Sequence, residues 1–559
     1  MHAIDWIILC GTLLFIVIYG TIKTKKNKSV EDYVLNNTNT NWFTVGLSVM
    51  ATQASAITFL SAPGQAFHDG MSFIQTYFGL PLAMVFICIV FIPIFHKLKV
   101  YTAYEYLETR FDGKTRGLAA ILFLIQRGLG TGITIYAPSI ILSAILGWNL
   151  TLLNILIGVL VLIYTISGGA KALNVTQRQQ MFIILVGLVL AFFTIIHNLP
   201  DQLSFSNALG IAGANGKMNL IDTSINPETR YTLWSGIAGG FFLSLAYFGT
   251  DQSQVGRYLS GKSIIESQKG LIMNGLLKVP MQFFILLIGV MVFIFYQFYP
   301  SPIHFNPNNT TLILNSEYKN EYLKLENELE TIQKEKKEIS LLYVGQLDQD
   351  YNNEVLQKII VSLNSRESNL REQAKNLILK ANSNAEINDK DYVFLNFVIT
   401  YLPKGLVGLL LAVILCAAMS SSASGLSALA TTTTFDIFKR NYKKELSEKN
   451  LVNYTKLFTL IWGIIVIGFA CISTMFENMI QSVNIVGSIF YGPVLGIFLV
   501  AFFTKRITGN AVFWGAIISQ LVIFYIHYLN IVGFLWYNFI GALLTIFVSY
   551  IISTIKFYK

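Results

Sequence analysis

The sequence predicts an all-α polytopic membrane protein of about thirteen transmembrane helices, built on an inverted-repeat plan, with a helical hairpin inserted outside the membrane. Three observations lead there. Of 559 residues, 53% are hydrophobic and only 13% charged, about half the charge of an ordinary soluble domain, and mean hydropathy is +0.56. Apolar runs long enough to cross a ~30 Å hydrocarbon core recur along the chain. The basic residues between them fall on alternate loops. A disordered chain, a nucleic-acid binder and a disulfide scaffold are excluded by this composition.

The runs lie near 4–22, 42–63, 72–96, 117–146, 150–167, 179–198, 232–252, 271–299, 405–430, 454–474, 480–503, 510–528 and 531–555. The first has no basic residue before it and no small-residue cleavage site after it, so it reads as a span and not a signal peptide. Lys23, Lys25, Lys26 and Lys28 follow it, which sets the N-terminus outside by the positive-inside rule. Segments 23–41, 97–116, 168–178, 253–270, 436–453, 504–509 and 556–559 then face the cytoplasm and hold 23 of the 40 Lys+Arg. Outside the insert, the external segments hold Lys217, Arg230 and Lys404 alone. The chain is expected in the plasma (inner) membrane with its C-terminus cytoplasmic. The net charge of +9 is thus a topogenic signal, and no contiguous basic face remains for nucleic acid.

One segment breaks the pattern. Residues 301–392 carry 11 Lys+Arg and 15 Asp+Glu, a net charge of −4 that leaves +13 on the rest. Tyr318, Tyr322, Leu325, Leu329, Ile332 and Ile339 repeat at helical spacing, as do Leu356, Leu363, Leu370, Ala374, Leu377 and Ala381. Gly345 and Gln346–Asn353 separate them. The pattern predicts an antiparallel helical hairpin packed seam to seam, either a decoration or a docking site or lid for a protein partner. The chain accordingly divides into a transmembrane part, 1–300, the external insert, 301–392, and a second transmembrane part, 393–559.

Cys10, Cys88, Cys416 and Cys471 all sit in apolar runs and form no CxxC or Cys/His cluster, and no Walker A sequence is present. No catalytic pair falls within the spans, so an enzyme is not expected. The chemistry is expected where polar, helix-breaking stretches interrupt spans, because backbone left unpaired in a bilayer must line a cavity or a site. There are three. Ala51-Thr52-Gln53-Ala54-Ser55-Ala56-Ile57-Thr58 precedes Pro63 and Gly64 in the second run; unwinding there frees carbonyls such as those of Ala51 and Ala54. Gly249-Thr250-Asp251-Gln252 closes the seventh run, and Asp251 is the only carboxylate near a span core. Ala417-Ala418-Met419-Ser420-Ser421-Ser422-Ala423-Ser424 lies in the ninth; hydroxyls three and four residues after Ala417 share a face with its carbonyl. Two hydroxyls and several carbonyls suit Na⁺, a hard cation of modest charge. The first two stretches open two successive five-helix blocks, 42–198 and 232–503, the pattern of an inverted-repeat secondary transporter.

These stretches resemble the sodium:solute symporter family, with bacterial sialic acid symporters and the monocarboxylate- and vitamin-transporting branches as the most similar members. SVMATQASAITF (Ser48–Phe59) is similar to the family's first core helix and TAYEYLETRF (Thr102–Phe111) to its following loop. YTISGG (Tyr164–Gly169) matches its YT-x-x-GG element. QVGRYL (Gln254–Leu259) resembles its QRY segment, with Gly256 where Gln is usual, and Leu402–Phe438 carries LP-x-G, A-x-x-SS and DIF. The resemblance covers about 4–555 without the insert. It implies a LeuT-like fold, two inverted five-helix repeats with one helix before and two after, and Na⁺-driven alternating access with no cofactor beyond the coupling ion.

By the same likeness, sodium would be held by the carbonyls of Ala51, Ala54 and Ala417 and the hydroxyls of Ser420 and Ser421. A small polar solute, a sugar or small carboxylate, would meet Gln53, Ser55, Thr58, Phe73 and Tyr77, with Arg127, Asp251 and Gln252 nearby. Two departures matter. Where some members carry the Asp of a second sodium site, this chain reads Val175-Thr176-Gln177, and a further hydroxyl position is Ala423 although Ser424 is kept; one sodium per cycle is expected. Where the sialic acid members carry a carboxylate-binding Arg, this chain has Gly130, with Arg127 about one turn away. The rivals are a proton-coupled symporter using Asp251 and a membrane sensor or scaffold working through the hairpin.

Overall fold

A computed structural model describes residues 2–24, 33, 40–98, 100–347, 354–442, 446–472 and 478–557. Lys25, Lys26, Lys28 and most of the 346–353 connector lie outside the described residues. The helices that build the body are α1 (Ala3–Thr24), α2 (Trp42–Gln53), α3 (Ala56–Asp69), α4 (Leu80–Ile89), α5 (Phe91–Leu98), α6 (Gly113–Leu146), α7 (Leu150–His197), α8 (Gly240–Thr250), α9 (Gln252–Tyr258) and α10 (Ile264–Phe298). After the insert helices α11 (Lys319–Leu347) and α12 (Glu354–Ala381) come α13 (Leu406–Thr432), α14 (Glu448–Ile472), α15 (Met479–Phe503), α16 (Gly509–Leu529) and α17 (Leu535–Phe557).

Ten helical stretches among the described residues are long and apolar enough to cross a membrane. The thirteen apolar runs differ from these ten at three places. The first run lies on α1, a helix of 22 residues that is not among the ten. The second is split between α2 and α3, and α3 continues into the third within the single stretch Ala56–Leu98. The seventh is cut short where α8 stops at Asp251. Polar residues interrupt the second and seventh runs at Ala54–Ser55 and at Asp251.

Helix ends follow local chemistry. Asp112 caps α6, its carboxylate accepting from the Thr115 N–H at 2.8 Å. Asp5 reaches across the bundle, where Oδ1 accepts from the N–H groups of Gly405 and Gly408 at the start of α13, at 2.6 and 3.2 Å. The N-terminus and the 403–405 segment therefore lie at one face. α7 carries two spans joined at Gly169, whose φ of 56° is open to glycine.

α3 and α10 pack backbone to backbone: a Cβ on Gly289 would sit 2.2 Å from the Pro63 carbonyl oxygen. Pro63, expected to help break the second run, sits inside α3 instead. The break falls upstream, at Ala54–Ser55.

α11 and α12 fold back on each other across 348–353. Tyr322, Leu329 and Ile332 of α11 meet Leu363, Leu370, Ala374 and Leu377 of α12 in a small core of their own, with Ile303 and Ile313 beneath. The pair is not free-standing. Tyr343, Val344 and Ile360 join the main core. Asn364 Nδ2 donates to Asn215 Oδ1 at 2.7 Å, just after the helix Phe205–Ala214.

Candidate functional site

The site grows from the break in the second span. Ala54 (φ −74°, ψ 71°) and Ser55 (φ −84°, ψ 165°) leave the helical region between α2 and α3. The Ser55 N–H then bonds to the Gln53 carbonyl at 2.8 Å, which frees the Ala51 carbonyl from the bond a continuous helix would give it. α13 passes alongside. Ser420 Oγ lies 3.3 Å from the Ala51 carbonyl oxygen. Ser421 Oγ lies 3.3 Å from the Thr52 carbonyl and 3.1 Å from that of Ala417. The single Ser421 proton serves one of these carbonyls at a time, so lone pairs converge that the protein's own donors leave unused. Four of the five expected sodium positions (Ala51, Ala417, Ser420, Ser421) thus meet across two helices, with Ala54 buried at the break itself. Sequence reasoning missed the Thr52 carbonyl, which belongs to the same cluster.

Gln177 on α7 joins this cluster. Its Nε2 donates to Ser420 Oγ at 3.0 Å, Ser424 Oγ at 3.1 Å and Thr52 Oγ1 at 3.2 Å, and its Oε1 accepts from Ser48 Oγ at 2.7 Å. Arg257 Nη2 also donates to Ser424 Oγ, at 3.0 Å. Ser424 Oγ therefore takes hydrogens from both an amide and a guanidinium, groups that offer hydrogens where a cation needs lone pairs, whereas Ser420 Oγ takes one, from Gln177.

The second break turns on Asp251. Its Oδ1 caps α9, accepting from the Ser253 N–H at 2.9 Å and Ser253 Oγ at 2.7 Å. Its Oδ2 forms an ion pair with Arg127 of α6 and accepts from the Tyr491 hydroxyl of α15 at 2.9 Å. A carboxylate in a bilayer needs such a partner, and Arg127 supplies it. The Gln252 side chain points elsewhere: Nε2 donates to the Tyr101 carbonyl and Oε1 accepts from the Ala103 N–H.

Between the two breaks lies a cavity of about 150 Å³. Of the expected solute contacts, Gln53, Ser55, Thr58, Tyr77 and Arg127 line it, together with Ser421 of the cation cluster. Phe73, Asp251 and Gln252 stand behind the wall: Phe73 packs edge-on against the Tyr77 ring, 6.0 Å between centroids. The structure adds Gln126, Asn484, Tyr491 and Lys278. Lys278 had a signal in the sequence, as the single charged residue in the run 271–299.

Two interrupted helices facing each other across a small polar cavity, in an all-helical membrane body, define a secondary solute carrier. The family model "Sodium:solute symporter family" matches residues 33–320 and 375–519, and the chain belongs to that family. It is a multi-pass membrane protein that couples a small organic solute to Na⁺, and not an enzyme. Among curated relatives, "Sodium-coupled monocarboxylate transporter 2" of Mus musculus is 28% identical over 279 residues; the match spans 49% of this chain and 44% of that protein. "Sodium/sialic acid symporter SiaT" of Proteus mirabilis is 25% identical over 564 residues, 97% of this chain and 92% of that one. A solved substrate-bound, outward-open Na⁺-coupled sialic acid symporter superposes with a TM-score of 0.76 at 24% identity, covering 99% of this chain and 98% of the other.

Proposed function

We propose that this chain is an importer that carries one Na⁺ with one small polar solute per cycle, by alternating access of a LeuT-like body of thirteen helices. The observation that carries the reading is the meeting of the freed Ala51 carbonyl with Ser420, and of Ser421 with the Thr52 and Ala417 carbonyls, at the mouth of the central cavity. Na⁺ entering there is held by the carbonyls of Ala51, Ala54 and Ala417 and the hydroxyls of Ser420 and Ser421, and ties α2 to α13. That tie stabilises the state in which Gln53, Ser55, Thr58, Tyr77 and Arg127 face the solute. When the two helices part, the oxygens separate and Na⁺ leaves. Coupling is the difference in Na⁺ affinity between the two states. Phe73, Asp251 and Gln252 serve from the second layer, Asp251 by holding Arg127.

Engagement of Ser424 by Gln177 and Arg257 supports a single sodium. The Asp251 carboxylate is committed to Arg127, to the Tyr491 hydroxyl and to its own helix cap, a structural task that favours sodium as the coupling ion. The N-terminus is assigned to the outside of the plasma membrane, with 301–392 there as a docked insert between transmembrane parts 1–300 and 393–559; the family match lapses from 321 to 374. The relatives lend no support to a protein partner at that insert.

The test is solute uptake in proteoliposomes with and without an inward Na⁺ gradient. Ser421→Ala should raise the Na⁺ concentration for half-maximal uptake about tenfold or more, the loss of roughly 1.5–3 kcal/mol for a ligand to a charge. Uptake indifferent to both the gradient and the substitution sinks the assignment.

A further inference from the structure

A second cavity, of about 400 Å³, lies where the insert meets the body. The ends of α3 and α10 and the turn at Lys217 form one wall, and one face of α12 forms the other. The insert's share falls almost wholly within 321–374, where the family match lapses, so the cavity is not part of what the family model describes. Its charge is one-sided. Four cations, Lys217, Lys336, Arg371 and Lys375, line it against two acids, Glu367 and Glu372, an excess of two positive charges. Glu367 is shared by Lys336 and Arg371, and Glu372 pairs with Lys375 at 2.7 Å.

Lys217 is left over. Among the described residues no carboxylate forms an ion pair with it, and Asp69, next to His68 in the chain, is paired with Lys390 at 2.7 Å. The Lys217 ammonium rests 4.9 Å from the centroid of the Phe293 ring and donates to the His68 carbonyl. That carbonyl takes one of its three hydrogens. Burial lowers its pKa to about 8, against the pull of Asp69, the sign of an ammonium short of counter-charge. The floor beside it is aromatic: Phe67 packs edge-on against Phe293 and Tyr296, 5.8 and 6.0 Å between centroids. His68 Nε2 is buried there without a hydrogen-bond partner among the described residues.

We propose that this cavity binds an organic phosphate, with the phosphate on the Lys217 ammonium and a ring on the floor of Phe67, Phe293 and Tyr296. Charge selects the class: a phosphate monoester carries roughly −1.5 to −2 at pH 7, which matches the excess of two. Size agrees, since about 400 Å³ falls within the ~300–1,000 Å³ of ordinary ligand pockets. A guest that fills it exceeds the central cavity of about 150 Å³, so the site is not a stage on the solute's path. Its lever is α3. Lys217 holds the outer end of that helix through the His68 carbonyl, and its own carbonyl accepts from the Met71 N–H at 2.9 Å, around Gly70 at φ 75°. The other end of α3 starts at the Ala54–Ser55 break. A phosphate seated between Lys217 and α12 ties that helix to the insert.

The experiment is thermal unfolding of the purified full chain in sodium-free buffer, with phenyl phosphate, inorganic phosphate, benzoate or phenol at matched ionic strength. Phenyl phosphate should raise the midpoint by about 2 °C or more at saturation and slow hydrogen exchange over 361–375 and 56–69; phenol should do neither. Lys217→Met should weaken phenyl phosphate binding about tenfold or more, and Lys217→Arg should keep it. Ser368→Glu adds an acid at an exposed position of the α12 wall. It should weaken binding about tenfold and carries the test if Lys217→Met fails to fold. The proposal is overturned if no phosphate acts, if phenol or benzoate acts as well as phenyl phosphate, or if either variant folds and keeps the wild-type response. Inorganic phosphate acting as well as the ester upholds the phosphate site and removes the aromatic floor from it. Sodium is absent throughout, so the proposal stands or falls apart from the symporter reading.

Discussion

Lys336 in the insert and Lys278 in the membrane body are equally buried, at 2% exposure each, yet they live in opposite surroundings. Lys336 of α11 forms an ion pair with Glu367 of α12 and lies 3.3 Å from Asn364 Oδ1. Glu367 also takes two hydrogen bonds from Arg371, at 3.0 and 2.8 Å, and Arg371 turns on to the Pro302 and Ile303 carbonyls. Every charge in that knot is answered, and the knot staples the hairpin to the segment that enters it. Lys278 is answered by the Tyr77 ring, 5.7 Å from Nζ to its centroid, and by the central cavity. The contrast teaches how to read a buried lysine: a satisfied one holds architecture, and one without an ion-pair partner lines a cavity.

The comparison is broken most directly by removing each charge. Lys336→Met leaves Glu367 short of a partner and should destabilise the hairpin by roughly 2–5 kcal/mol, seen as faster hydrogen exchange over 319–381. Lys278→Met should leave global stability equal or higher, because it removes an uncompensated charge. Equal stability losses in the two variants would erase the distinction. A smaller effect is expected at the α3–α10 contact: Gly289→Val pushes a side chain into the Pro63 carbonyl and should cost about 1–3 kcal/mol in thermal unfolding.

Two pH responses, smaller still, sharpen the description of the insert. Burial pushes the Glu367 carboxyl up, but Lys336 and Arg371 outweigh it and hold it at about 2, below its ordinary 4.5. A depressed carboxylate stabilises the fold above its ordinary range and loses that contribution as pH falls from about 4.5 toward 2. Hairpin exchange should accelerate in that window, and Lys336→Met should move the acceleration to higher pH. Glu386, in the loop that returns to the membrane, behaves oppositely. Burial first, and then Asp391, raise it to about 8 against the Tyr136 hydrogen bond. Its contribution is complete below about 4.5 and fades as pH rises through about 8. Glu386→Gln should abolish the alkaline loosening of residues 382–389.

Much of this was legible in one dimension because bilayer rules are strict. Apolar runs, basic loops and the acidic 301–392 stretch follow from transfer energies that act residue by residue. The hydroxyl run of α13 and the small polar run at the end of α2 stood out because hydrocarbon tolerates neither without a reason. The pairing of Ser420 with Ala51, and of Ser421 with Thr52, joins residues 369 positions apart, and its motif could be read while its distances could not. Asp251 looked like a cavity residue; its carboxylate is in fact occupied by Arg127, Tyr491 and its own helix cap. Nothing in its neighbours along the chain announces α6 or α15.

Taken alone, the order of residues settled the membrane class, the family likeness and the oxygen-rich stretches expected to hold sodium. Burial energies and backbone satisfaction are local terms, and a linear string records them. The packed structure decided which polar groups are already matched and which are left open. Gln177 is spent on four hydroxyls, Arg127 is spent on Asp251, and Lys278 has no ion-pair partner among the described residues. Electrostatic compensation depends on distances between separate helices, and those distances exist only once the helices have packed.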